Sequence, residues 1–456
     1  MARLSDGLLT EGPIGKKLIA FTIPIFLGNL FQQLYNTADT LIVGRLIGSD
    51  ALAAVGSSGN LIFLIVGFFN GLSLGAGVVI ARHFGAQERE QVNKAIHNTL
   101  LVGLVSSAVV TLIGLVLAPQ ILGWMGTPEE VMPLSLEYFR TYFAGAVSMV
   151  MYNMLAGILQ AMGDSRHPLY YLIVASITNV VLDLVFIGVF HWGVFGAAFA
   201  TVISQALSAV LAFIRLRQPN PVYHLSLRSL RVEPRILREA LRAGLPAGVQ
   251  NSVTALANVI VQSNINAFGA VAMAGSGAYS KLEGFAFLPV TCFSMALTTF
   301  ISQNLGAGKL DRARQGTRFG MICSMVMAEI IGVIFFVFAS PLMAAFNSDP
   351  GVIASGVARA RICALFFFLL AVTHCISGVL RGAGRSIIPM IVMLVCWCII
   401  RVSYITITVQ FIPRIEVVFW AYPITWILSS AVLAIYYKKA KWLPIEPTSE
   451  EQTQAA

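Results

Sequence analysis

The chain has 456 residues, 57% hydrophobic and only 11% charged, with a formal net charge of +9. A soluble protein carries about a quarter charged residues, so this composition excludes a water-soluble globule and indicates an all-α polytopic membrane protein. The positive balance reads as topology rather than nucleic-acid binding, because Lys and Arg collect in cytoplasmic loops.

Residues 1–13 are polar and Lys16-Lys17 follow. The apolar run after them is too long for a signal-peptide core, so the first helix is expected to stay. Twelve spans of about 20 residues or more are predicted, the length a bilayer requires. In the first half they lie near 18–46, 51–82, 95–122, 134–161, 168–190 and 194–214. In the second half they lie near 243–267, 273–304, 317–341, 357–380, 387–411 and 417–437. The expected division is an N-terminal lobe over 1–214, a basic connector over 215–242 and a C-terminal lobe with its tail over 243–456. Of the 30 basic residues, 23 fall at the termini and in the even-to-odd loops, seven of them in the connector. Arg45, Arg359, Arg361 and Arg414 are assigned to the opposite side, and Arg140, Lys281 and Arg401 fall within spans. Both termini are therefore expected in the cytoplasm.

The halves repeat at an offset of 221: Gly85-Ala86 matches Gly306-Ala307, and Gly157, Gly163, Ser165 and Pro168 match Gly378, Gly384, Ser386 and Pro389. Pro24 pairs with Pro246, and Thr201 with Thr425, at nearby offsets. Six spans return the chain to its starting side, so the units form a parallel repeat about an axis along the membrane normal. Secondary transporters use that plan, with the substrate between the halves.

The first helix holds Gln33, Tyr35, Asn36 and Asp39, with Asp39 at a depth that hydrocarbon would occupy. An ionisable residue there is costly and indicates function. The fifth span holds Asn179 and Asp183, four apart and so on one face, and the sixth holds Thr201 and Ser204. Converging, these groups form an oxygen-rich cluster able to hold Na⁺ or share a proton. The competing reading is two protonated carboxyls that tie helices together.

In the second half the counterparts are apolar or aromatic: Ile260 or Val261, Ile400 and Tyr404. Deep charges there are Lys281, Glu283, Glu329 and Arg401, which could neutralise one another as structural pairs. Asn251, Thr254, Asn258 and Gln262 make a polar stripe on the seventh span, either cavity lining or helix glue. His374 is read as a packing residue. The six cysteines lie in apolar stretches and are expected to pack, with no metal site or disulfide framework. Walker A, H-E-x-x-H and G-x-S-x-G motifs are absent from the sequence, so ATP drive and enzymatic chemistry are not expected.

Pro24, LYNTADT in the first helix, the Gly-Ala pairs after the second and eighth helices, QAMGDSRHP, NVVLD and FGAAFAT together resemble the multidrug and toxic compound extrusion (MATE) family, nearest its DinF-like branch. The resemblance covers nearly the whole chain. It implies two pseudo-symmetric six-helix lobes around a V-shaped cavity, and export of lipophilic organic cations in exchange for H⁺ or Na⁺. It implies an ion site at Asp39, Asn179, Asp183 and Thr201, with Tyr35 and Asn153 lining the same pocket. Pro24 matches the first-helix proline at which members are thought to bend. Some relatives also use acids in the seventh and tenth helices; this chain has Asn258 and His374 in those regions. No cofactor beyond the coupling ion, no nucleic acid and no enzymatic activity are expected. A monomer in the bacterial inner membrane is the expected setting. A related flippase of a lipid-linked amphiphile is the alternative, and it would call for basic groups in the cavity.

Overall fold

The computed structural model describes residues 8–124, 127–218, 223 and 231–440. The rest of the connector, 219–222 and 224–230, and the tail, 441–456, lie outside the described residues, as do the expectations that fall on them. The described chain is helical, without a strand among the described residues.

The first lobe holds α1 (Ile14–Leu46), α2 (Ser49–Gly85) and α3 (Arg89–Val116), then α4, made of Met132–Ala144 and Ala146–Ala161. It continues with α5 (Arg166–Asp183, extended by Leu184–Val189) and α6 (Gly193–Arg217). The second lobe holds α7 (Pro234–Asn266), α8 (Ala270–Gly306) and α9 (Leu310–Val337). It ends with α10 (Pro350–Gly382), α11 (Ile387–Phe411) and α12 (Ile415–Lys439). Short helices, Ala118–Trp124 and Ala339–Ala344, follow α3 and α9.

Among the described residues ten helices are long and apolar enough to cross a membrane, and eleven if α4, bent by 48° at Gly145, counts as one. The remaining expected span, α7, has the length, 33 residues, but not the hydropathy. It lies against α2 across the lobe seam, so part of its surface faces protein and need not be apolar. The helix also starts earlier than the hydrophobic pattern predicts. Arg235, Arg238 and Arg242, expected in a loop, form its first turns, where Pro234 supplies a preset first residue.

The lobes are stitched together from mid-bundle to the end at which α1 begins and α12 finishes, called the basic end below. At mid-bundle Asn29 Nδ2 donates to Cys292 Sγ over 3.3 Å, and Asn251 Nδ2 to the Gly67 carbonyl over 3.0 Å. Further down, Gly71 abuts Gly248 and Gly75 abuts Gly244, backbone against backbone, where a Cβ would overlap the other helix. At the basic end Gly85 meets the Gln303 carbonyl and Gly306 meets that of Arg82. Only glycine lets helix backbones approach so closely.

Residues 8–12 then cross this seam. Leu8 packs into the first lobe's core beside Ile80 and Phe84, and Leu9 into the second lobe's core beside Phe300 and Ala313. Arg312 donates to the carbonyls of Leu9, Glu11 and Gly12, and Lys309 to that of Thr10. All six cysteines are free thiols, and four of them are buried.

Candidate functional site

Asp39 on α1, Asn179 and Asp183 on α5, and Thr201 on α6 meet inside the first lobe. The Asn179 amide donates to Thr201 Oγ1 over 3.3 Å, while the Thr201 hydroxyl donates to the Ala197 carbonyl over 3.1 Å. Thr201 is thereby held by its own helix and presents a lone pair to α5. Asp183 is fully buried and Asn179 is 1% exposed. The Asp39 and Asp183 carboxyls are neighbours in this pocket. Just beyond Asp183 the helix widens into π-type turns over Leu184–Val189, a distortion common at functional sites because it frees backbone groups.

The pocket's chemistry lies in what its oxygens lack. Asp39 Oδ1, Asn179 Oδ1, both oxygens of Asp183 and Gln205 Oε1 are all buried without a hydrogen-bond partner. Orphan acceptors of this kind are costly, and two adjoining carboxyls without a basic neighbour cannot both carry charge in a dry interior. A proton or a small hard cation answers the deficit, since oxygen ligands suit both. The donor set fits Na⁺ in type: carboxylate, amide and hydroxyl oxygens.

Three residues of this pocket escape a reading of the sequence. Gln205 donates from Nε2 to the Tyr35 hydroxyl over 3.4 Å. Tyr138 and Tyr142 of α4 stack at 6.3 Å between centroids and wall the site together with Val43, Ile187 and Ala197. Spacing carried a signal for each: Gln205 follows Thr201 by four, and Tyr142 follows Tyr138 by four, so each pair shares a helix face.

The second lobe fills the corresponding place with cations of its own. Arg401 donates from Nε and Nη2 to Thr425 Oγ1 over 3.1 and 2.7 Å, and Thr425 is the counterpart of Thr201. Its guanidinium lies over the Trp397 and Tyr422 rings at 5.1 and 4.5 Å. Arg359 pairs with Glu283 at 3.2 Å and lies over Tyr279 and Tyr422, each at 4.8 Å. The expected neutralisation among Lys281, Glu283, Glu329 and Arg401 is corrected on this point. The partner of Glu283 is Arg359, assigned to the outer side by its place in the sequence but 2% exposed. Helix α10 begins at Pro350, which carries Arg359 several turns into the bundle. Lys281 is exposed and Glu329 half-buried.

A cavity of about 510 Å³ lies between the lobes. Its lining is paired at the repeat's offset of 221: Asn29 with Gln250, Asn70 with Thr291, Ser73 with Ser294, Asn153 with His374, and Gln160 with Arg381. The pairing extends to bonding, because Ser73 Oγ donates to the Asn153 carbonyl over 2.9 Å and Ser294 Oγ to that of His374 over 2.6 Å. The cavity therefore sits on the pseudo-twofold axis.

Of the expected cavity residues, Asn153 lines this space, as does Pro24, around which α1 continues as one helix. Gln33, Asn36 and Asn258 are exposed, and Gln262 donates to Asn266 Oδ1 over 2.8 Å. Tyr35 belongs to the acid pocket through Gln205. Asp39, Asn179, Asp183 and Thr201 do not border the inter-lobe cavity.

The MatE family model matches the chain twice, over residues 24–185 and 246–407, one match per lobe. The chain belongs to the MatE family. The two matches begin at the paired prolines Pro24 and Pro246. Among curated relatives, the chain is 27% identical to "Probable multidrug resistance protein YpnP" of Bacillus subtilis, over 97% of this chain and 99% of that one. It is 26% identical to "Probable multidrug resistance protein YoeA" of the same organism, over 93% and 94%. A solved structure described as "Outward-facing conformation of a multidrug resistance MATE family transporter of the MOP superfamily" superposes with a TM-score of 0.87 at 24% identity, over 95% of this chain and 96% of that one. The two-lobe, all-helical transporter fold is thus that of the MATE family, and the protein is a multi-pass membrane transporter.

Proposed function

We propose that this protein is a secondary active multidrug exporter that expels lipophilic, mostly cationic compounds in exchange for H⁺ or Na⁺. One observation carries the reading: five buried acceptor oxygens around Asp39 and Asp183 have no donor. The names of its relatives as multidrug resistance proteins support the export of small molecules. The one-sided distribution of basic residues supports a cytoplasmic placement of the basic end.

In this reading the closed basic end corresponds to an outward-facing state. The acid pair takes up the coupling ion there, which satisfies its orphan oxygens and neutralises the lobe. Binding energy that differs between the two states is what shifts their populations. Neutralisation favours release of a cationic substrate and return to the inward state, where the ion departs to the cytoplasm. Pro24 leaves the carbonyl one turn before it without a helical donor, a soft point at which α1 can bend as the pocket changes charge. The lobes, 1–214 and 243–456, act as the rocking bodies and the connector as the link between them. A monomer suffices, because both halves of the pathway lie in one chain. A flippase of pyrophosphate-linked lipids would need several basic groups in the cavity, and Arg381 is the single Lys or Arg in its lining.

The test is efflux of ethidium from proteoliposomes under separate Na⁺ and H⁺ gradients. Asp39→Asn and Asp183→Asn are expected to abolish gradient-driven efflux while the purified proteins keep their helical content. Undiminished efflux in Asp39→Asn would end the proposal.

A further inference from the structure

The inter-lobe cavity carries one permanent charge, and it is positive. Arg381 ends α10 and lines the cavity opposite Gln160, its counterpart in the other lobe. Its Nε is buried without a hydrogen-bond partner, and among the described residues its guanidinium has no ion pair, in contrast to Arg359 with Glu283. No Asp or Glu is in the lining, and the acids of the first lobe lie elsewhere. Along the same face of α10, two turns earlier, His374 Nε2 is also buried without a partner. Amides and hydroxyls supply the rest of the polar wall, and Leu169, Leu172 and Met295 supply an apolar one.

We infer that Arg381 is the specificity-determining residue of this cavity, and that it receives the anionic end of an amphiphilic solute bearing a carboxylate, sulfonate or phosphate. A guanidinium among membrane helices calls for a counter-charge or strong acceptors. Its planar fork matches a carboxylate or phosphate with two parallel hydrogen bonds. The Gln160 side-chain amide lies opposite as a neutral donor, and the apolar wall accepts the body of the solute. Beside Arg381 a cation finds no counter-charge, so the cationic substrates of the exporter depend on the amide, hydroxyl and apolar parts of the lining. The assignment rests on the exporter reading and adds a substrate class to it: amphiphilic anions, beside the coupling cation held separately in the first lobe.

Three probes with one pyrene body test it: 1-pyrenebutyrate, neutral 1-pyrenebutanol and cationic 4-(1-pyrenyl)butyltrimethylammonium. Binding to the full chain in phosphatidylcholine nanodiscs is read by energy transfer from protein tryptophans. Pyrenebutyrate is expected to bind tightest. Arg381→Gln is expected to lower the ratio of anion to cation affinity by about ten- to a hundred-fold, the range for losing hydrogen bonds to a charged group. Gln160→Glu, which gives Arg381 an internal partner, is expected to lower the ratio in the same direction should Arg381→Gln not fold. An unchanged ratio in either folded variant overturns the assignment. Loss of pyrenebutyrate binding in phosphatidylglycerol nanodiscs identifies a lipid headgroup as the occupant and overturns the solute assignment. Gradient-driven export of the probes by the unmodified protein is scored separately, so a failure of the transporter reading remains distinct from a failure of this one.

Discussion

The side-chain amide of Gln303, in the second lobe, donates to the backbone carbonyl of Ala161, in the first, over 2.8 Å. The Gln303 side-chain oxygen, Oε1, accepts from the Leu9 backbone N–H over 2.9 Å. One buried side chain therefore ties both lobes and the N-terminal strap at the basic end. Gln303→Leu leaves two buried backbone groups unpaired, at about 1–3 kcal/mol each. The closed arrangement is expected to lose population accordingly. Spin labels at the exposed positions Gln87 and Gln315 should report a longer distance component at the basic end in this variant.

The glycine seam makes a stronger claim in the same direction. A side chain at Gly71 or Gly75 would occupy the backbone of Gly248 or Gly244. Gly71→Leu is expected to forbid the closed seam altogether, abolish export and shift the label distance fully to the longer component. A distance distribution matching the unmodified protein would show that α2 and α7 do not need this approach.

Thr201 holds the Asn179 amide nitrogen, which leaves the Asn179 oxygen buried without a partner. Thr201→Val removes that acceptor while preserving volume. The loss of one hydrogen bond, about 1 kcal/mol, should weaken coupling-ion affinity roughly five-fold without unfolding the lobe. Isothermal titration with Na⁺, and proton release followed by a pH indicator, would register the change for either ion.

In the second lobe, Arg359→Met leaves the buried Glu283 carboxylate beside Tyr279 without its ion-pair partner. Breaking one partner of a buried pair costs about 3–5 kcal/mol, whereas replacing both with apolar groups is often nearly neutral. Arg359→Met is thus expected to lower the unfolding midpoint in detergent, and Arg359→Met with Glu283→Leu to recover most of it. Failure of the double variant to recover would assign the pair a role beyond charge balance.

Helix type, the repeat and the polar face of α1 were legible because each is a periodic or local signal. The pairing of Asn179 with Asp183 on one face followed from a spacing of four. The true partner of Glu283 did not, because Arg359 stands near a predicted span boundary and only the start of α10 at Pro350 takes it deep. The polar stripe of α7 is legible as a spacing, but only packing shows that Asn251 alone among its members is seen to bond across the seam, to the Gly67 carbonyl. The separation of the acid pocket from the inter-lobe cavity was likewise hidden, since both draw on residues of α1 at neighbouring turns.

Composition and the offset of 221 determined that this is a duplicated bundle of membrane helices with the Asp39 and Asp183 pair in one half alone. Those properties are one-dimensional: hydropathy, periodicity and residue type. Tertiary packing decided which lone pairs were left empty around Asp39 and Asp183, that Arg401 occupies the matching place on Thr425 in the other lobe, and that Arg381 faces a cavity without a counter-charge. Each of these depends on which helix faces meet across the bundle, and a charge in a membrane protein acquires its meaning from the groups placed opposite it.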